Sequence, residues 1–174
     1  MLFALVTYLP EPLGPLLNGL REELVPGCHL RSHITVLPPR TLASRDAAWR
    51  QLQRDAANFS PIWIDLDEIQ VFPETSVVYL SVAEGSKELK GLHKSLSQGA
   101  LAFNEPFEFT PHVTLAQGLT GESAIRAAEI ARRRWAAYRG PRGFLLDSMT
   151  FVESARTDQW SDLGELSLDA VAAR

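Results

Sequence analysis

The sequence predicts an α+β fold of two pseudo-symmetric lobes, each a mostly antiparallel sheet with helices packed on one side. Three observations carry the prediction. Apolar strand-like runs alternate with amphipathic helical stretches along the 174 residues. The order strand, helix, strand, helix occurs once and then again. The strand that follows the first helix of each round carries the same short motif, as "HITV" and then as "HVTL".

The elements follow in order. Leu2–Leu9 is a buried strand, and Leu13–Leu24 a helix ended by Pro26-Gly27. His29–Leu37 is the next strand, stopped by Pro38-Pro39. A helix begins near Ser44, which serves as its N-cap, with Trp49, Leu52 and Ala56 on one face. Strands Ile62–Phe72 and Val77–Ala83 are joined by the turn "PETS". The next helix is capped near Ser86 and striped by Leu89, Leu92 and Leu96. A strand follows over Phe107–Ala116. A longer helix over Glu122–Tyr138 buries Ile125, Ala128, Ala131 and Trp135. The chain closes with a strand near Phe144–Glu153 and a short one near Glu165–Leu168. No long linker or low-complexity stretch intervenes, so residues 1–174 read as one bilobal domain.

Composition excludes several classes. Hydrophobic residues make up 45% and charged residues 22%, an ordinary balance for a globular chain. The net charge of −4 means that any anionic substrate must be held by a local positive site. Cys28 is the only cysteine, which excludes an internal disulfide and a thiolate metal cluster. A reducing, cytoplasmic location is the simplest expectation. The apolar start "MLFALVTYLPEPLGPLL" lacks a basic leader and is cut by Pro10 and Glu11, so neither a signal peptide nor a membrane span is expected.

The two motifs carry the chemistry. Strand side chains alternate between faces, so His33 and Thr35 share one face while Ile34 and Val36 take the other. His112 and Thr114 repeat the arrangement, with Val113 and Leu115 opposite, on the face also assigned to Phe107 and Phe109. Two imidazoles and two hydroxyls around one cleft suit a phosphodiester. One neutral imidazole takes a proton from the attacking oxygen, and the other, protonated, gives one to the leaving oxygen. The threonine hydroxyls hydrogen-bond the non-bridging phosphate oxygens. Neither a metal nor another cofactor is expected.

With these residues in view the chain resembles the 2H phosphoesterase superfamily, in its 2′-5′ RNA ligase-like and cyclic phosphodiesterase branch. The resemblance runs through "LFALVTYLP", "HITVLPP", "VFPETSVVYLSV", "LKGLHKSL", "FTPHVTLAQ" and "SMTFVES". It implies His33 and His112 as the catalytic pair, Thr35 and Thr114 as phosphate ligands, and a cleft between two lobes whose helices lie outside. His112 is then the base toward water and His33 the acid toward the leaving hydroxyl. The implied substrate is a nucleotide or RNA-end phosphodiester, cyclic 2′,3′-type or 2′-5′ linked, opened without a metal. RNA 2′-5′ ligation and non-catalytic nucleotide or RNA binding in the same cleft are the alternatives. A monomer without membrane attachment or an obligate protein partner is expected.

Other residues are weaker candidates. Arg40, after Pro39, is expected to reach a phosphate at the cleft mouth. Tyr79 and Ser81 share a strand face, and Tyr79 is a candidate to stack on a base. Tyr8 and Phe72 are lesser versions of the same idea. The run "ARRRWAAYRGPR" offers either a local RNA-binding patch or, the preferred reading, the solvated face of a helix that buries Trp135. His93 is read as exposed.

Overall fold

The computed structural model describes residues 1–156 and 159–169. Its strands are β1 (Leu2–Tyr8), β2 (His33–Arg40), β3 (Ile62–Val71), β4 (Val78–Val82), β5 (His112–Ala116), β6 (Gly143–Leu146), β7 (Ser148–Arg156) and β8 (Gln159–Ser167). Its α-helices are α1 (Leu13–Leu24), α2 (Arg45–Ala56), α3 (Ser86–Leu96) and α4 (Gly121–Ala137). The strands form a sheet in the order β6-β3-β4-β5-β2-β1-β7-β8, every neighbour antiparallel.

That order is close to a palindrome about the β5–β2 seam. β4 flanks β5 as β1 flanks β2, and β3 matches β7. The halves also exchange a strand. β3 follows α2 in the chain but lies in the β4–β5 half, and β7 follows α4 but pairs with β1. The helices cross as well, since α1 packs against β5 and α3 against β2. At the seam β2 and β5 pair at one position, Ile34 opposite Val113. Both side chains are fully buried. The helix-covered face continues this core through Leu5, Val36, Leu80 and Leu115, while Ala4, Val6 and Val152 form a small apolar patch on the other face.

Several boundaries depart from the sequence expectation. β2 starts at His33 and runs through Pro38 and Pro39 to Arg40. The register against β1 shifts there, with Leu5 opposite Leu37 and Phe3 opposite Arg40. The prolines thus sit in a bulge, where the missing N–H groups cost the ladder little. β5 is much shorter than Phe107–Ala116, and Phe107 is exposed rather than packed on the core. The single strand expected near Phe144–Glu153 is two, β6 and β7, which lie in opposite halves of the sheet. The last strand is longer than expected and pairs with β7. In α4 the buried stripe is Ala124, Ala127, Ala128, Ala131 and Trp135, and Ile125 is 59% exposed. The spacing from Trp135 back to Ala124 is helical, and Ile125 lies about 100° off it. Ser44 caps α2 as expected, accepting from the Ala47 N–H at 3.2 Å. α3 is capped instead by Gly85 at φ 84°, where a side chain would meet the Trp63 carbonyl. Among the described residues no helix is long and apolar enough to cross a membrane.

Candidate active site

Pairing fixes how the two motifs meet. Because β2 and β5 run antiparallel through Ile34 and Val113, His33 lies beside Thr114 and Thr35 beside His112. The four side chains make the corners of a square on the face away from the core. Burial alternates as this requires: His33, Thr35, His112 and Thr114 are partly exposed, while Ile34, Val36, Val113 and Leu115 are buried. The histidines occupy one diagonal, a backbone separation of about 7–8 Å, which leaves room for one phosphate between the rings.

Each imidazole is held by the same local device. His33 Nδ1 lies 2.7 Å from the Arg31 carbonyl, and His112 Nδ1 lies 2.6 Å from the Thr110 carbonyl. A carbonyl only accepts, so Nδ1 carries the proton in both rings. Nε2 is left to exchange protons with a ligand. Burial pushes His33 down to about 4, with the nearby Arg21, His112 and Arg31 charges adding to the depression and the Arg31 carbonyl opposing it. Burial also pushes His112 down, against the pull of the Thr110 carbonyl.

The surroundings differ. Beside His33, Tyr8 presents its ring edge at 6.3 Å and donates its hydroxyl to Asp162 at 2.7 Å. The Arg31 guanidinium stacks 3.5 Å above the Tyr8 ring and reaches Asp162 at 3.5 Å. Burial, reinforced by Asp162, raises the Tyr8 hydroxyl well above its ordinary value. Beside His112, Phe72 and Tyr79 stack on each other at 3.9 Å and meet the imidazole at 5.1 and 5.3 Å. From the square a cleft of ≈ 660 Å³ runs over the β1–β7 half. His33, Thr35 and Thr114 stand at its head, Ala4, Val6 and Val152 floor it, and Arg31, Trp160 and Asp162 also line it. Among the described residues no group of three His, Cys, Asp or Glu side chains is gathered to hold a metal ion.

Not every expected residue joins the site. Arg40 is a correction: its side chain is 1% exposed and faces away from the cleft. It donates to Glu105 at 2.8 Å, to the Leu101 carbonyl at 2.7 Å and to the Pro38 carbonyl at 2.9 Å. The bulge at Pro38-Pro39 turns Arg40 onto the core face, where only a paired charge is tolerated. Tyr79 is buried, and its ring is already stacked on Phe72 while its hydroxyl donates to Gln70 at 2.7 Å. Tyr79 therefore backs His112 and does not line the open cleft. Ser81 is tied to the Glu68 backbone at the irregularity in β3. His93, read as exposed, is 12% exposed; its Nδ1–H donates to the Val36 carbonyl at 2.8 Å, and its ring stacks on Phe109. The arginine run is mostly a solvated face, with Arg134 paired to Glu23 and Arg142 set over Trp135.

Sequence reasoning missed Arg21, Arg31, Gln117, Trp160 and Asp162, all of which line the cleft. Only Arg21 left a signal. It falls four residues after Leu17 and eight after Leu13, in the apolar stripe of α1, where an arginine is out of pattern.

Comparison with known proteins bears on the fold and the family. The family model of the 2′-5′ RNA ligase superfamily matches residues 10–158. A Bacillus pumilus protein named as a phosphoesterase is 29% identical over 126 residues, covering 70% of this chain and 73% of that one. A Bacillus licheniformis protein named likewise is 26% identical over 126 residues, covering 70% and 74%. Among solved structures, Escherichia coli LigT in apo form has a TM-score of 0.66 at 20% identity, covering 97% of each chain. The Thermus thermophilus protein TT0787 has a TM-score of 0.67 at 17% identity, covering 98% of this chain and 100% of that one. At such identities the structures speak for the fold alone, and the family rests on the sequence match: the chain belongs to the 2′-5′ RNA ligase superfamily, the 2H phosphoesterases.

Proposed function

We propose that this protein is a metal-independent phosphoesterase that opens a 2′,3′-cyclic or 2′-5′ phosphodiester of a nucleotide or RNA end. The observation that carries the reading is the matched pose of His33 and His112, each with Nδ1–H tied to a backbone carbonyl and Nε2 left for a ligand. His112 Nε2 takes a proton from water as the water oxygen attacks phosphorus. The bond from phosphorus to the ribose oxygen breaks, and protonated His33 gives that oxygen its proton. Thr35 and Thr114 donate to the non-bridging oxygens as charge builds on them.

The cleft supports this division of roles. It extends from His33 over the apolar floor of Ala4, Val6 and Val152, where a leaving nucleoside has room. On the other side the Phe72–Tyr79 stack stands against the His112 ring. Free imidazoles with depressed proton affinity are mostly neutral near pH 7, and a bound phosphate raises that affinity so that one ring carries the proton needed by the acid. A nucleotide substrate class is also supported by the fold relative LigT, solved in complex with 3′-AMP.

The test is an assay of the four nucleoside 2′,3′-cyclic monophosphates in EDTA with product analysis. Turnover to a single monophosphate isomer is the expected result. Binding without turnover, by protein that binds phosphate normally, would leave only a binding module. Formation of a 2′-5′ joint between RNA halves bearing a cyclic phosphate and a 5′-hydroxyl would identify the same chemistry run in reverse.

A further inference from the structure

Arg21 stands in an unusual position for a cation. Its side chain is 3% exposed, in the last turn of α1, yet it belongs to the wall of the cleft with His33, Thr35 and Thr114. It donates to the Thr114 carbonyl at 2.7 Å and reaches the Cys28 sulfur at 3.7 Å. Its Nε is buried with no hydrogen-bond partner among the described residues. The neighbouring acids are engaged elsewhere: Glu22 accepts from the Gly27 N–H and sits near His29, and Glu23 pairs with Arg134.

A buried guanidinium is ordinarily retained with a carboxylate beside it, as Arg40 is with Glu105. The C-terminal end of α1 offers Arg21 only about half a negative charge. A carbonyl and a thiol do not complete the balance. A phosphate held between His33 and Thr114 would. We propose that Arg21 is a positioning residue whose charge is balanced by the substrate phosphate: it fixes β5 at Thr114 and gives the cleft its affinity for anions. This rests on the cleft being a phosphate site.

His33 is the reporter. The groups facing it are Tyr8 from β1, which is bonded to Asp162 of β8, Arg31 from the segment before β2, Arg21 from α1, and His112 and Thr114 from β5. Of these, Arg21 is the strongest of the charges that hold His33 in its neutral form.

The experiment compares the full chain with R21Q and R21K, measuring inorganic phosphate affinity by calorimetry and the His33 titration by NMR. The amide of R21Q keeps a donor for the Thr114 carbonyl but removes the charge. Phosphate should bind R21Q about 10- to 50-fold more weakly, the size of one charge interaction across a partly shielded site. The His33 midpoint should rise by about one pH unit in R21Q. R21K keeps the charge with poorer hydrogen bonding. It should bind phosphate within about threefold of the unaltered protein, with its His33 midpoint unmoved. Unchanged phosphate affinity and midpoint in R21Q would overturn the role of Arg21 alone. Loss of affinity in R21K as deep as in R21Q would show a backbone tie and not a charge, and R21K decides the matter if R21Q does not fold. Failure of the unaltered protein to bind phosphate would overturn the phosphate site itself.

Discussion

The two histidine half-sites share a backbone and differ in everything around it. Each imidazole leans on the carbonyl two residues before it, so tautomer and ring direction follow from the backbone that leads into each strand. Around His33 the wall is charged and open, built of Tyr8, Arg31, Arg21 and Asp162. Around His112 it is aromatic, built of Phe72 and Tyr79. The repeated part fixes what both rings are able to do. The unrepeated part sets the charge and shape of the wall beside each ring.

The sharpest way to break the comparison is to remove one ring at a time. H33N and H112N should each lower kcat by about 10²–10⁴-fold, measured on a cyclic nucleotide with circular dichroism to show an intact fold. Equal losses fit an acid and a base that work in one step. A variant that keeps most of its rate would show that one half alone carries the reaction.

Stability is the next largest effect, and it concerns charges outside the cleft. R40M leaves Glu105 buried with His93 as its remaining partner. A loss of about 3–5 kcal/mol is expected, a fall in Tm of about 10 °C or more. Its kcat should stay near that of the unaltered protein where the fold survives, since Arg40 faces away from the site. A collapse of kcat at full stability would return Arg40 to the cleft.

The hydroxyl diagonal comes third. T35V and T114V should each cost about 10–100-fold in kcat/KM, as each removes one donor to a phosphate oxygen. A much larger loss in T114V than in T35V would locate the developing charge on the side of the square next to Arg21.

The pH profile is the gentlest probe and separates the halves by titration. Both imidazoles are pushed below their ordinary 6.5, His33 to about 4. With both rings depressed, the form of the free enzyme with one ring charged is most abundant below pH 6.5. The kcat/KM profile should peak below pH 6.5 and fall about tenfold per unit on the alkaline side. The same shift has a sign in stability. Between about 6.5 and about 4 the unfolded chain binds the His33 proton more readily than the folded one does. This contribution is therefore full above pH 6.5 and is lost as the pH falls toward 4. H33N should lose less stability than the unaltered protein over that interval in urea titrations.

Much of this was legible in the sequence for a local reason. Alternation along "HITV" and "HVTL" is a property of any strand, so the sharing of a face by His33 and Thr35, and by His112 and Thr114, needed no tertiary information. The apolar stripes of α1, α2 and α3 and the Ser44 cap are equally local. What failed was non-local. Two prolines that end a strand in isolation are absorbed where the partner strand allows a bulge, and that bulge is what turned Arg40 inward. His93 reads as a surface residue until α3 is laid across β2 and the Val36 carbonyl becomes its acceptor.

By itself, then, the sequence determined the chemistry available on each motif strand and the family to which the chain belongs, because both are written in side-chain type and spacing. The tertiary structure alone decided that the motifs meet at one antiparallel pair, with the histidines on a diagonal. It also decided that one half of the site is charged and opens onto the cleft while the other is aromatic. Tyr8, Arg21, Arg31 and Asp162 come from β1, α1, a loop and β8. Only the folded sheet brings together residues so far apart in the chain.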